Sequence, residues 1–212
     1  MFDIEYKGGN TLVVASKKTT VVIDPKRSLV GQRNVDISGA VEVATELRFA
    51  LDSADAKLHI EGPGEYEIGD VAIRGTAAVR HIDTEADELL STVYRIEIGD
   101  LRVAVLGNIA AKLTEDQLEA IGVVDIVVLP VGGNGYTLSA ESAAAIVRQI
   151  DPRVVIPVHY ADNALKYEVP QDELDRFTTE LAAPVEDAGA KYKVKSSSAL
   201  PTVLTVVTVA RS

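Results

Sequence analysis

Three histidines, His59, His81 and His159, are the whole imidazole supply of this 212-residue chain, and it has no cysteine. Thiolate metal sites, iron–sulfur clusters, disulfides and cysteine nucleophiles are thereby excluded. A catalytic zinc takes three protein ligands and an open position, so a centre built mainly from imidazole would need every histidine. His159, in Val158-His159-Tyr160, ends an apolar run and reads as a pocket wall or, with more weight, as a hydrogen-bonded histidine kept for packing. His81 follows Arg80 and precedes the acidic run Asp83 to Glu88, which reads as a solvated loop. His59 lies within Leu58-His59-Ile60 and reads as structural. Asn108, after Gly107 at the end of an aliphatic run, is a candidate polar wall of the same pocket. Glu46, Asp52 and Asp55 could add carboxylates, but they fall on a segment that reads as helix-like and exposed, without ligand spacing. Asp24 precedes Pro25 at the end of an apolar run. The run Gly132-Gly133-Asn134-Gly135 lacks the lysine and spacing of a phosphate-binding loop and reads as a flexible loop at the edge of the site.

These residues are carried by two kinds of pattern. The first half reads as hairpins: Phe2 to Tyr6 and Thr11 to Ala15 flank Gly8-Gly9-Asn10, and Thr19 to Pro25 is a strand apolar on both faces. Gly69-Asp70 and Gly99-Asp100 each separate two further alternating runs by the two residues that suit a tight primed turn. In the second half, Thr114 to Gln117 is a capping box opening a short helix that Gly122 closes. Val123 to Val131 is a buried strand, Ser139 starts a second helix, and Arg153 to Tyr160 is another buried strand. Pro170 opens a third helix with Leu174, Phe177 and Leu181 at helical spacing, and a closing strand follows in the Val- and Thr-rich tail. Hairpins followed by a strand–helix–strand passage predict two sheets covered by helices in one domain over 1–212. Lys195 to Ala199 is the only loose segment.

With 21 basic and 32 acidic residues the net charge is −11, which argues against a nucleic-acid track or an anionic membrane as partner. The start of the chain has no signal-peptide pattern and no apolar stretch reaches the length of a membrane span, so the expectation is a cytoplasmic protein. Its partner is expected to be a small ligand or a protein, a homo-oligomer included.

The block Ile60 to Gly75, IEGPGEYEIGDVAIRG, resembles a passage of metallo-β-lactamase-fold hydrolases, nearest the ascorbate-6-phosphate lactonase-like and metal-dependent hydrolase branch. The segments Thr19 to Pro25, Leu101 to Ile109, Leu113 to Gly133 and Leu138 to Tyr160 are similar to the same family, so the resemblance covers most of the chain. It implies an α/β fold, a four-layer αββα sandwich with its active site along one edge. Members that bind two metals carry His-x-His-x-Asp-His, a middle His, a bridging Asp and a late His, and the paired cations activate a water. Here the stretch from Gly39 to Lys57 has no histidine, the first hairpin has Gly8-Gly9 where a Gly-His pair is common, and the bridging position is Asn108. His81 matches the middle ligand loosely and His159 the last one closely. The expectation is therefore no metal, no cofactor and no catalytic residue, with His81, Asn108 and His159 as a pocket remnant. The expected role is that of a lapsed catalyst serving in structure, ligand binding or protein interaction. The alternative is a metal-dependent hydrolase of small esters, lactones or phosphoesters with a remodelled site, using His159, His81 and local carboxylates.

Overall fold

A computed structural model describes residues 1–51, 53–81 and 91–212. Asp52 and the acidic run from Asp83 to Glu88 lie outside the described residues.

Strands β1 (Phe2–Gly8), β2 (Thr11–Ser16), β3 (Thr20–Ile23), β4 (Val41–Ala44), β5 (Leu58–Glu61) and β13 (Tyr192–Val194) form one sheet, in the order β13-β1-β2-β3-β4-β5. The other contains β6 (Gly64–Ile68), β7 (Val71–Ala78), β8 (Ser91–Ile98), β9 (Leu101–Val105), β10 (Ile126–Pro130), β11 (Val154–Val158), β12 (Val185–Asp187) and β14 (Thr205–Thr208). Its order is β12-β14-β11-β10-β9-β8-β7-β6. The turns at Gly69-Asp70 and Gly99-Asp100 join antiparallel pairs as expected, with positive φ at Gly69 and Gly99.

Strand periodicity assigns each face to a core. In β10, Ile126 and Val128 enter the cluster between the sheets, whereas Val127 and Leu129 face the helices. In β11, Val154, Ile156 and Val158 point between the sheets and Val155 points to the helices. Helices α1 (Glu115–Ile121), α2 (Ala140–Ile150) and α3 (Leu174–Leu181) supply the apolar partners of that second face. The outer face of the smaller sheet is covered by irregular chain, where Ile37, Ala40 and Leu51 pack on Val22.

The capping box is present at Thr114 and Gln117, and Ser139 caps α2 by accepting from the Ser142 N–H. The third helix starts at Leu174, four residues beyond Pro170, because residues before it spend their backbone groups elsewhere: Asp172 N–H donates to the Gly132 carbonyl (2.6 Å), and Ala161 N–H donates to the Asp172 carbonyl (2.9 Å). The strand expected from Val123 is shorter, and Val123 itself is 77% exposed. The Lys195–Ala199 stretch is pinned by the Arg153 guanidinium, which donates to the carbonyls of Ser197, Leu200 and Pro201 at 2.6–2.8 Å.

The segment read as helix-like is instead β4 followed by a 3₁₀ turn, Leu47–Phe49. This corrects the reading of Glu46: it is 3% exposed, while Asp55 is exposed. His59 is structural, as read. Its Nδ1 meets the fully buried carboxylate of Glu42 and its Nε2 faces the Ser53 carbonyl (2.7 Å), stapling the chain after the 3₁₀ turn to β4 and β5.

One tie closes the end of the sandwich. Asp24 is buried with φ 51°, a left-handed conformation uncommon outside glycine. Its N–H donates to the Val43 carbonyl (2.9 Å), and its carboxyl oxygens accept from the Thr45 N–H and hydroxyl, each at 2.7 Å. The Thr45 carbonyl in turn accepts from the Thr92 N–H (2.9 Å) of the other sheet. Gly107 passes so close that a Cβ there would stand 2.8 Å from the Thr45 Cβ.

Two outcomes are expected. Gly107 and Gly99 both have positive φ, but only Gly107 is crowded. Gly99→Ala is expected to cost about 1–2 kcal/mol for the backbone alone, and Gly107→Ala about 1–3 kcal/mol more from overpacking, compared by urea unfolding. Burial pushes the Asp24 carboxyl up to about 8, although the bonds from Thr45 oppose the shift. The folded chain thus keeps a proton that the unfolded chain releases above about pH 4. Stability therefore falls as pH rises through this interval, by up to about 1.4 kcal/mol per pH unit from this group. Asp24→Asn is expected to fold and to flatten that slope between pH 6.5 and 8, measured by urea midpoints of both proteins.

Candidate functional site

Strand direction gathers the polar residues. β9, β10 and β11 run parallel, β7 is antiparallel to β8 and β8 to β9, so the carboxyl ends of β7, β9, β10 and β11 share one edge. Just past those ends lie Arg80 and His81, Asn108, the Gly132-Gly133 turn and His159. From the facing sheet, parallel β3 and β4 deliver Asp24 and Glu46.

His159 is 3% exposed and, like Asp24, has φ 51°. Strained non-glycine backbone of this kind clusters at functional sites. Its N–H donates to the Tyr6 hydroxyl (3.2 Å), and its ring lies 4.7 Å from the Tyr167 ring and 5.4 Å from that of Tyr136. Nδ1 is 2.8 Å from Asn10 Oδ1, an acceptor, so Nδ1 carries the hydrogen. Nε2 is buried with no hydrogen-bond partner among the described residues. Burial first, and then the Arg48 charge, push the imidazole down to about 3, so it stays neutral with a lone pair on Nε2. The ring helps to line a cavity of about 20 Å³ with Asn10, Arg27 and Tyr167, room for about one water.

Beside it, Glu46 is enclosed by cations. Its Oε2 lies 2.8 Å from Arg48 Nε and 3.1 Å from Arg80 Nη1, and its Oε1 accepts from Asn108 Nδ2 (3.0 Å). Arg48 also donates to the Tyr136 hydroxyl (2.6 Å) and stacks on the rings of Phe49 and Tyr136. Asn108 is 1% exposed, its Oδ1 is without a partner among the described residues, and its carbonyl accepts from the His81 N–H (2.8 Å).

The three residues singled out from the sequence are thus linked in series. His81 and Asn108 meet through the backbone, and Asn108 connects through Glu46, Arg48 and Tyr136 to the ring of His159. The half-buried His81 ring, whose basicity burial lowers, is not among the groups lining the cavity. Asn10, Arg48, Arg80, Tyr136 and Tyr167 were not singled out. Asn10 had a signal, being the polar residue directly after Gly8-Gly9; the others are ordinary arginines and tyrosines until the fold places them.

A divalent metal does not fit the described residues. No group of three or more His, Asp or Glu side chains is gathered among them; of the buried carboxyls at the edge, Asp24 is taken up by Thr45, and Glu46 is already engaged by two guanidiniums. A dication placed there would meet like charge at short range.

Residues 3–159 match the model of the beta-lactamase superfamily domain. A UPF0173 protein of Pyrococcus furiosus is 35% identical over 101 residues, 48% of this chain and 44% of that protein. A UPF0173 metal-dependent hydrolase of Natranaerobius thermophilus is 28% identical over 103 residues, 49% of this chain and 44% of that protein. The matched stretch therefore spans less than half the length of these curated relatives. In fold, the chain is similar to a candidate Zn-dependent hydrolase of the metallo-beta-lactamase superfamily from Thermotoga maritima, with a TM-score of 0.75 at 19% identity, over 98% of this chain and 100% of that one. The expectation of a lapsed catalyst is corrected by these relatives, among which metal-dependent hydrolases are named. The physical reason is that a missing histidine run speaks only of one ligand set, whereas the edge retains a buried, unpartnered imidazole lone pair and a charged cluster that packing alone does not require. By the match over residues 3–159, this chain belongs to the beta-lactamase superfamily domain family.

Proposed function

We propose that the chain is a hydrolase of small esters, lactones or phosphoesters, acting with a remodelled site at the strand-end edge around His159. The observation that carries this reading is the His159 Nε2 lone pair, buried and without a hydrogen-bond partner among the described residues, in a residue that lines the cavity. Its support from outside the chain is the name metal-dependent hydrolase borne by relatives such as that of Natranaerobius thermophilus.

The chain's own residues define what the site can contribute. His159 is neutral across the ordinary pH range and offers Nε2 as a hydrogen-bond acceptor that orients a water or substrate hydroxyl. Burial keeps its proton affinity low, so the gain of about 10²–10⁴-fold from a general base is the ceiling of its contribution. Arg48, held from one side by Glu46 and Tyr136, brings fixed positive charge close to His159. Negative charge developing on a carbonyl or phosphoryl oxygen beside it would be stabilised without reorganisation. Asn108 adds a buried amide oxygen with no partner among the described residues.

The test is turnover of a panel of aryl esters, lactones and phosphoesters, each assayed with EDTA and with added Zn²⁺ or Mn²⁺, on wild type and His159→Ala. Turnover on at least one class is expected, falling about 10²–10⁴-fold in His159→Ala while circular dichroism shows the fold intact. No turnover in any condition, or equal turnover in the two proteins, overturns the proposal.

A further inference from the structure

We infer that Asn10 is the positioning residue of this edge, holding His159 in its Nδ1–H tautomer so that Nε2 keeps its lone pair. The consequence for turnover rests on the hydrolase reading above; the tautomer itself does not.

Asn10 is a buried polar side chain at the tip of the β1–β2 hairpin, a place where such groups ordinarily face water. The turn is built to bring it inward. Gly8 (φ 102°) and Gly9 (φ 59°) take conformations closed to most side chains, and the pairing shifts register between Tyr6 and Gly8. At Gly8 a Cβ would stand 2.8 Å from Arg211 Cδ and 3.1 Å from a methyl of Leu165, so that position is closed to a side chain by packing as well.

From this hairpin Asn10 Oδ1 reaches His159 Nδ1 at 2.8 Å, across 149 residues of sequence. The stacked Tyr167 ring and the Tyr6 hydroxyl hold the plane and backbone of His159 but make no bond to its ring nitrogens, leaving the tautomer to Asn10. The rest of the amide is placed to matter too. Asn10 Nδ2 and Arg27 Nε are buried donors without hydrogen-bond partners among the described residues, in residues that line the same cavity as His159. Asp24, Lys26 and Glu168 line it as well, and a space of about 20 Å³ suits a single hydroxyl-sized group, on water or on a substrate, beside the imidazole. In the opposite tautomer Nε2 would be a buried donor with no acceptor among the described residues.

The experiment is ¹⁵N NMR of the histidine side chains in the full chain, which has only three to resolve, with His159 assigned from His159→Gln. Wild type is expected to show a protonated Nδ1 and a bare Nε2 at His159. Asn10→Ala is expected to give a mixture of tautomers, and Asn10→Asp, which keeps an acceptor oxygen, to restore Nδ1–H. With a substrate found in the panel, Asn10→Ala is expected to lower kcat about 10- to 100-fold, the usual scale for a residue that orients a functional histidine, with KM little changed and Asn10→Asp recovering most of the loss. A wild-type Nε2–H tautomer, or an Asn10→Ala spectrum identical to wild type at His159, overturns the inference. Because the spectra need no substrate, they decide it even if every protein in the panel is inactive, a result that would count against the hydrolase reading alone.

Discussion

The contact between Asp24 and Thr45 is the constraint on which the edge of this molecule depends. Asp24 leaves β3 in a left-handed conformation, takes both polar groups of Thr45 on its carboxyl, and bonds its own N–H to β4. Thr45 then passes its carbonyl to the other sheet through Thr92. Together with the Tyr94 hydroxyl on the Ala44 carbonyl (3.0 Å) and the His159 N–H on the Tyr6 hydroxyl (3.2 Å), this registers the two sheets against each other by directional bonds. The next residue, Glu46, is aimed into the edge as a result. A carboxyl in this place is costly as an anion, which is why burial raises its affinity for a proton.

Around that tie, charge is managed by pairing and by neutrality. Glu46 lies buried only because Arg48, Arg80 and Asn108 surround its oxygens, in keeping with the high cost of a buried carboxylate without partners. His159 takes the other course and stays neutral between two tyrosine rings, keeping a lone pair available. The two arrangements meet at Tyr136, whose hydroxyl receives Arg48 and whose ring faces His159. In this way the superfamily's sandwich keeps a polar, strained edge while the described residues there do not assemble a metal centre. For the hydrolase reading, the balance of charge near a reacting oxygen would then fall to arginine.

Much of the framework was legible because it rests on local physics. Alternating Phe2, Ile4 and Tyr6, the Gly-Asp turns, the Thr114 box and the doubly apolar β10 and β11 each declare an element from a few neighbouring residues. The resemblance of the Ile60–Gly75 block and the later segments pointed to the sandwich that the family match bears out. Reading failed where a segment's structure is set by distant partners. Residues 41–49 show no clean period, since β4 is buried on both faces and its one acid, Glu42, is satisfied by His59 and the Leu51 N–H. The start of α3 was misplaced because Asp172 bonds to Gly132, forty residues earlier in the chain.

Residue types and their periods were enough to establish the class of fold, the lack of any thiol chemistry and the place of His159 at the end of a buried strand. They could not establish which groups His159 would face. Arg48, Tyr136 and Tyr167 come from a 3₁₀ turn and two loops, and nothing in their own neighbourhoods marks them; Asn10 was marked only by following Gly8-Gly9 in the first hairpin. Their meeting is a product of strand order and direction, which bring the ends of β3, β4, β7, β9 and β11 to one edge. Proton affinities at that edge follow from the same closure, because desolvation is a property of the packed interior and not of the residue. An aspartate and a histidine of ordinary sequence thus acquire opposite shifts, one toward keeping its proton and the other toward refusing it, only once the two sheets have closed over them.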